Sequence, residues 1–133
     1  MTTHRAQCSC GQLSATCEGD PVRTSVCHCL ACKQSTGSAF TFGARFRKED
    51  VRVEGRASEW VRVGDEGSRG THRFCPVCGS TVFWTNDQRP DFILVSGGCF
   101  ADLDFPPAPT VSVYHDDRIY PWLAITCEPL ERM

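Results

Sequence analysis

Cysteines supply most of the chemistry available to this chain. The sequence has ten of them in 133 residues, an unusually high number for a small chain. Seven stand in three short groups, each of which brings sulfur atoms together locally. Short spacings of this kind let several thiolates meet on one ion at about 2.3 Å, which predicts zinc binding. The groups are a C-x-C pair, a C-x-C-x-x-C triplet and a C-x-x-C pair: Cys8 and Cys10; Cys27, Cys29 and Cys32; Cys75 and Cys78.

The number of ligands that zinc requires separates these groups into two sites. A structural zinc is closed by four protein ligands, so the two pairs together predict one Cys₄ site. Pro76 and Gly79 favour the tight turn of a zinc knuckle around the second pair. The triplet then has three thiolates and an open fourth position, as in a catalytic zinc site. The prediction is two zinc ions per chain, one structural at Cys8, Cys10, Cys75 and Cys78, and one catalytic at Cys27, Cys29 and Cys32.

Other interpretations of the cysteines stay open at this point. An even count also suits a disulfide framework, but that belongs to oxidising compartments. The C-P-V-C-G knuckle would suit a rubredoxin-like iron site, although a C-x-C partner favours zinc. Another ligand could close the triplet and make both metals structural: Cys17, Cys99, Cys127 or a histidine. Cys99 is either a redox nucleophile, with Cys127 or Cys17 resolving, or a small buried apolar residue.

Composition limits the class of protein. The hydrophobic share of 41% and the charged share of 23% predict one globular domain over residues 1–133. A net charge of −2 gives no electrostatic reason to expect nucleic acid or anionic lipid as a partner. No apolar run approaches the roughly 20 residues that cross a bilayer, and the opening MTTHRAQ is not a secretory signal. We therefore expect a cytoplasmic protein whose thiols stay reduced, while the sequence does not indicate an oligomeric state.

Short β segments must position the cysteine groups. Runs rich in valine, threonine and aromatics, divided by glycine, proline and charged turns, predict strands. One helical turn is expected over 29–36, ending at Gly37, and surface loops over 65–70 and 105–109. The sequence thus predicts a small all-β domain with little helix, stapled by the Cys₄ zinc. The predicted strands are 12–17, 39–46, 51–54, 58–63, 81–85, 92–96, 110–114 and 122–126.

Four motifs in a fixed order carry a resemblance that runs along nearly the whole chain. They are C-x-C-G at 8–11, C-H-C-x-x-C followed by T-G-S at 27–38, F-C-x-x-C-G-S at 74–80 and a late Pro-Trp at 121–122. In these motifs the chain resembles the family of glutathione-dependent formaldehyde-activating enzymes, which includes centromere protein V. The resemblance implies a β-tent fold, with a structural zinc at the two cysteine pairs and a second zinc at the triplet. The chain departs from the family at Cys99 and Ala101, near a position where members often have Leu-Asp-Asp.

The resemblance and the open triplet together indicate a reaction. A three-thiolate zinc suits a soft fourth ligand such as a thiol, and a thiol held there as thiolate could attack a nearby carbonyl. The predicted function is a zinc-dependent carbon–sulfur lyase that acts on a small-molecule thiol such as glutathione and a carbonyl such as formaldehyde, forming S-hydroxymethylglutathione or a related product. Two alternatives are a non-catalytic two-zinc binding module and a thiol redox enzyme that uses Cys99.

Several further side chains are weaker candidates, each with an ordinary structural interpretation beside the functional one. A cation could pair with a glutathione carboxylate, but most surface cations are simply solvated. Trp122 would wall the pocket or pack in the core, and Asp102 would be a general base or a turn residue. His28 would pack or orient a ligand, whereas His72 and His115 are expected to be ordinary strand residues. The remaining candidates are Lys33, Arg45 and Arg118 as cations, and Gly37 and Ser38 as pocket lining.

Overall fold

Strands dominate the fold. In the computed structural model, which describes residues 2–133, 43% of the chain is strand and 13% is helix. This confirms the prediction of an all-β fold of short strands. Two short 3₁₀ turns, Lys48–Asp50 and Gly97–Cys99, accompany two helices, α1 (Leu30–Thr36) and α2 (His115–Arg118). The strands are β1 (Thr3–Gln7), β2 (Ser14–Glu18), β3 (Arg23–Cys27), β4 (Thr41–Arg47), β5 (Val51–Glu54), β6 (Ser58–Val63), β7 (Arg69–Phe74), β8 (Thr81–Asn86), β9 (Phe92–Ser96), β10 (Val111–Val113) and β11 (Glu131–Arg132).

The strands form two sheets. The smaller sheet has the order β1-β2-β5, and the larger has the order β11-β10-β3-β4-β9-β8-β7-β6. Pairing is antiparallel except at β10, which runs parallel to both β3 and β11. Antiparallel neighbours can be joined by short connections, as they are between β1 and β2 and along β6-β7-β8-β9. No helix among residues 2–133 has the length and apolar character that a membrane span requires.

The core lies where the smaller sheet meets the centre of the larger one. Alternate residues of single strands enter it, such as Ala44 and Phe46 of β4 and Ile93 and Val95 of β9. This period of two is expected where one face of a sheet is buried. Cys8 and Cys75 belong to the same cluster of buried residues, so the two cysteine pairs meet at the edge of the core.

The predicted strand boundaries agree with the structure for most strands, whereas the strands rich in polar residues were not predicted. Three predicted strands match residue for residue (51–54, 58–63 and 92–96), and four are displaced by one or two residues at an end (12–17, 39–46, 81–85 and 110–114). The elements that were not predicted are β1, β3, β7, β11 and α2, and the first two residues of β7 were expected in a loop. These strands, such as Arg69–Phe74 (RGTHRF), lack the apolar alternation that marks a half-buried strand.

The strand predicted over 122–126 is wrong. Its sequence, WLAIT, has high β propensity, yet it lies in an irregular segment of the chain. The Leu123 N–H donates to the Tyr120 carbonyl at 3.0 Å, which closes a turn where strand pairing would have been needed. Local turn geometry therefore overrides propensity here, as tertiary context often does for strands.

Candidate functional site

Four cysteine sulfurs come together beside the core. The Sγ atoms of Cys8, Cys10, Cys75 and Cys78 all lie within 4.8 Å of one another. A regular tetrahedron with Zn–S arms of about 2.3 Å has edges of about 3.8 Å. The Sγ atom of Cys10 lies 3.6 Å from that of Cys8 and 3.7 Å from that of Cys75. The four thiols thus fit a tetrahedral zinc ion, and the structure brings together the set that the sequence predicts.

Two knuckles of similar design supply these four thiols. The Gly11 N–H donates to the Cys8 carbonyl at 3.0 Å, and the Gly79 N–H donates to the Cys75 carbonyl at 2.8 Å. Both glycines have a φ of 82°, a left-handed conformation that residues with a Cβ adopt only at a cost. Each glycine follows the second cysteine of its pair, so the two C-x-C-G and C-x-x-C-G motifs encode the turns that aim the sulfurs.

Hydrogen bonds orient the thiols of this cluster. The side-chain N–H of Gln12 donates to the Sγ atom of Cys75 at 2.9 Å and to the backbone carbonyl of Arg56 at 2.8 Å. Hydrogen bonds from the side chain and backbone of Ser80 lower the pKa of Cys78 to about 5. Donors of this kind fix ligand orientation and favour the thiolate, the form that binds a metal.

Three further sulfurs meet at the junction of β3 and α1. The Sγ atoms of Cys27, Cys29 and Cys32 lie within 4.8 Å of one another. Cys29 is the N-cap of α1, and its Sγ accepts the backbone N–H of Cys32 at 3.4 Å. The helix ends at Gly37, whose φ is 65°, so the helical turn predicted over 29–36 is confirmed. The strand end and the helix cap together determine the geometry of the triplet.

The triplet finds no fourth protein ligand among residues 2–133. In the part of the chain that the structure describes, no Cys, His, Asp or Glu ligand atom lies within 4.8 Å of all three sulfurs. A hydrogen bond with Cys27 lowers the pKa of Cys32 to about 6, and the same bond together with burial raises that of Cys27. Three thiols at this spacing fit a zinc ion that keeps one position for another ligand. The alternative in which Cys17, Cys99, Cys127 or a histidine closes the triplet therefore finds no support.

His28 anchors the triplet loop to the sheet. Its side chain is fully buried, and its Nε2 atom lies 2.9 Å from the Ser112 hydroxyl on β10. That hydroxyl also lies 2.7 Å from Nδ1 of His115, which begins α2. The backbone N–H of His28 donates to the Val113 carbonyl at 3.0 Å. His28 therefore packs behind the cysteines, and His115 belongs to a short helix where a strand was expected.

Replacing Ser112 with alanine tests this anchor. The change removes a bridge between two histidines and leaves a buried ring nitrogen without a partner, which costs about 1–3 kcal/mol. We expect the free energy of unfolding of the zinc-loaded protein to fall by that amount in urea denaturation. Ser38→Ala is the matched control, because Ser38 is exposed and its hydroxyl makes no hydrogen bond with residues 2–133. Equal midpoints for the two variants would contradict a structural role for the bridge.

A cavity of about 600 Å³ opens against the triplet. Cys27 and Cys32 line it together with residues of β6, β7 and β8. Its apolar walls come from Phe40, Phe42 and Trp84, between which lie several serine and threonine hydroxyls. A mostly apolar cavity of this size with a few polar groups is typical of a small-molecule site.

The cations proposed from the sequence lie outside this cavity. The Lys33 ammonium donates to the Arg118 carbonyl and sits 4.0 Å from the ring centroid of Tyr120. The Arg45 guanidinium lies 5.5 Å from the ring centroid of Phe92. None of Lys33, Arg45 and Arg118 is among the residues that line the cavity. The structure therefore does not place them where they would contact a ligand beside the triplet.

Four other candidates also lie outside the cavity lining. Trp122 is 74% exposed and stacks on Tyr120 with ring centroids 5.5 Å apart, so it neither walls the cavity nor joins the core. Asp102 accepts the backbone N–H of Asp104 at 2.8 Å, as expected of a turn residue. Gly37 caps α1, and Ser38 is exposed beside it and does not line the cavity.

The three cysteines outside the clusters donate to separate backbone carbonyls. Cys17 donates to Ala15, Cys99 to Thr81 and Cys127 to Pro109. Burial raises the pKa of the Cys17 thiol to about 12 and also raises that of Cys99. Raised pKa values reduce the thiolate fraction on which redox chemistry depends. Cys17 thus behaves as a small buried apolar residue, and Cys99, which lines the cavity, is not an activated nucleophile.

The residues of β6, β7 and β8 that line the cavity were not predicted from the sequence. Arg62, His72, Trp84 and Asn86 all line the cavity and come from three neighbouring strands. His72 is a strand residue as expected, but it faces the cavity with Trp84 stacked at a centroid distance of 6.1 Å. Alternate residues of a strand face the same side of a sheet. If β7 had been predicted between β6 and β8, this period of two would have placed these four side chains on one face.

Comparisons with known proteins agree with this picture. The sequence model of the family described as "Glutathione-dependent formaldehyde-activating enzyme" matches residues 3–117. A crystal structure of a Rhodobacter sphaeroides protein superposes with a TM-score of 0.57 and 19% sequence identity, covering 75% of this chain and 90% of that one. At this identity the likeness shows the fold alone. No curated protein matches the chain. Since the family match spans well over half of its residues, the chain belongs to the glutathione-dependent formaldehyde-activating enzyme family.

Proposed function

We propose that this protein is a zinc-dependent carbon–sulfur lyase-type enzyme. Its substrates in this proposal are a small-molecule thiol such as glutathione and a small carbonyl such as formaldehyde. The observation that carries the proposal is the cluster of Cys27, Cys29 and Cys32, which finds no fourth ligand among residues 2–133 and opens on a cavity of about 600 Å³. Membership of a family named for glutathione and formaldehyde supports the choice of substrates.

The two cysteine clusters have different tasks in this proposal. The first would hold a structural zinc that ties the two knuckles together, and the second would hold the zinc of the reaction. When bound by three thiolates, zinc offers a position for an incoming thiol sulfur and lowers that thiol's pKa from about 8.5. The structural ligands are Cys8, Cys10, Cys75 and Cys78, and the ligands of the second zinc are Cys27, Cys29 and Cys32.

The residues around the triplet would prepare the reaction by holding and enclosing the reactants. The cap at Cys29 and the end of β3 set the sulfur positions, while Phe40, Phe42 and Trp84 reduce the access of water. In the forward direction the substrate sulfur bonds to the carbonyl carbon, and the carbonyl oxygen takes up the proton that the thiol released. The product is a hemithioacetal, and no atom is lost. The reverse reaction breaks the carbon–sulfur bond and returns thiol and carbonyl.

The reduced state of the thiols indicates the cellular compartment of the enzyme. All ten cysteines are unpaired, and reduced thiols persist in reducing compartments. We therefore propose a cytoplasmic protein in which residues 1–133 form one domain with two zinc ions. Of the two alternative functions, thiol redox chemistry is disfavoured by the raised pKa of Cys99. A non-catalytic two-zinc module leaves the open triplet and its cavity without a purpose.

Exchange spectroscopy tests the proposed activity. Formaldehyde labelled with ¹³C forms a hemithioacetal with glutathione spontaneously, so the relevant quantity is the exchange rate between the two labelled species. We expect the zinc-loaded protein to raise this rate in proportion to its concentration, and Leu30→Ala, which changes an exposed residue of α1, to leave the effect intact. An exchange rate that stays at the spontaneous value would contradict the proposed reaction.

A further inference from the structure

A row of three residues crosses the part of the cavity wall that β6, β7 and β8 form. Arg62 on β6 pairs with Gly70 on β7, and Gly70 pairs with Asn86 on β8. Residues paired across neighbouring strands face the same side of a sheet, and all three line the cavity. Because Gly70 has no side chain, Arg62 and Asn86 flank an open gap, with backbones about 10 Å apart across two strand spacings. We call these three residues the donor row.

The side chains of the donor row offer hydrogen-bond donors. The Asn86 Oδ1 atom accepts the backbone N–H of Gln88 at 2.8 Å, which leaves its NH₂ group, a donor only, without a partner among residues 2–133. Arg62 carries donors and no acceptor. Within the described chain it makes no ion pair, whereas Arg52, Arg73 and Arg132 each pair with a glutamate. The row therefore presents unused donors on both sides of the gap.

The charge of the residues that line the cavity also favours an anionic ligand. Arg62 is the single lysine or arginine among the described lining residues, and no aspartate or glutamate lines the cavity. A guanidinium and a neutral carboxamide match one negative charge spread over two oxygens, which is a carboxylate. A phosphate group, with nearly two charges at neutral pH, would leave charge uncompensated against this single cation.

We propose that the donor row binds a carboxylate of the thiol substrate, so that the enzyme selects carboxylate-bearing thiols. Arg62 pairs with the carboxylate across the gap, and the Asn86 NH₂ group donates to it from the other side. Gly70 leaves the space that the carboxylate enters, as glycine in a strand often does where a ligand approaches closely. This proposal rests on the proposed function, because it assumes that the thiol end of the same substrate lies at the triplet.

Calorimetry with a charged and a neutralised thiol tests the donor row. The zinc-loaded protein is titrated with glutathione and with glutathione diethyl ester, which keeps the thiol but has no free carboxylate. We expect wild type to bind glutathione about tenfold more tightly than the ester. Arg62→Met should lose about tenfold in affinity for glutathione and bind the ester as wild type does. Without the Arg62 charge, the protein should no longer bind glutathione more tightly than the ester, although it should still bind the thiol of both.

Two further variants distinguish an effect on the donor row from a general effect of mutation on the protein. Gly70→Val should weaken glutathione binding because its side chain fills the gap. A Cβ at this position meets no atom closer than 3.9 Å, so the melting temperature should stay near that of wild type. Arg69→Gln is the matched control: Arg69 adjoins Gly70 on the same strand, is exposed and does not line the cavity. Its affinities should equal those of wild type.

The outcomes distinguish failure of the row from failure of the proposed function. If Arg62→Met binds glutathione as tightly as wild type, or loses equal affinity for glutathione and the ester, the donor row is wrong while thiol binding stands. If inorganic phosphate competes with glutathione as well as acetate does, the preference for a carboxylate is wrong. If wild type binds neither glutathione nor the ester, the proposed function fails, and the donor row fails with it.

Discussion

Replacing Cys75 with serine is expected to remove one zinc and most of the stability of this protein. Cys75 is fully buried in the core cluster, and its Sγ atom lies 3.7 Å from that of Cys10. The two knuckles come from distant parts of the chain, so a metal that joins them closes a long loop. Structural zinc sites of this kind contribute on the order of 10 kcal/mol to folding, and a small domain has only about 5–15 kcal/mol in total.

The measurement is urea denaturation combined with metal analysis. Cys75→Ser should retain at most one equivalent of tightly bound zinc and should be largely unfolded without denaturant. Cys127→Ser is the control, because that thiol lies outside both clusters and donates only to the Pro109 carbonyl; its midpoint should stay close to that of wild type. Two equivalents of zinc and a wild-type midpoint in Cys75→Ser would show that the four-cysteine cluster does not hold the fold together.

Replacing Cys32 with serine should have the opposite profile, with loss of activity and little loss of stability. Cys32 lies in α1, a helix of seven residues with no buried side chain. Its thiol is one of only three in the second cluster, and a zinc held by two cysteines binds much more weakly. We expect the carbon–sulfur exchange rate to fall more than about hundredfold, since loss of an outer partner of a metal ligand alone costs 10–100-fold.

The free energy of unfolding and the number of bound zinc ions distinguish a loss of activity at the triplet from unfolding of the protein. Cys32→Ser should keep one zinc, at the four-cysteine cluster, and a free energy of unfolding within about 1 kcal/mol of wild type, as is usual for a change away from the core. Leu30→Ala, on the same helix and 58% exposed, should keep both zinc ions and full activity. Retention of activity by Cys32→Ser would remove the triplet from the mechanism.

The grouping of seven cysteine sulfurs into two clusters was predictable because it depends on local spacing and ligand number. Short C-x-C and C-x-x-C motifs bring their own sulfurs together, and only the pairing of the two doublets required a long-range assumption. The helix cap was predictable in the same way, since Gly37 marks the end of α1 and takes a left-handed conformation there. Both features depend on a few residues that are close together in the sequence.

The cavity wall formed by β6, β7 and β8 was not predictable for the opposite reason. Arg62, Gly70 and Asn86 become neighbours only through the register of β6, β7 and β8, and β7 has no apolar alternation to reveal it. The cations chosen from the sequence, such as Lys33, were equally plausible by residue type but lie elsewhere. Trp122 shows the same limit, because an apolar segment with high β propensity ended in an exposed turn.

The most direct test of the account is whether an external thiol enters the coordination shell at the triplet. Cobalt substituted for zinc reports sulfur ligands through its visible absorption bands, and the four-cysteine cluster, already closed, contributes a constant background. Glutathione added to the cobalt-loaded protein should shift and strengthen the bands of the second site, and Cys32→Ser should abolish that response. A spectrum that already shows four sulfur ligands at both sites and does not change with any thiol would contradict the account.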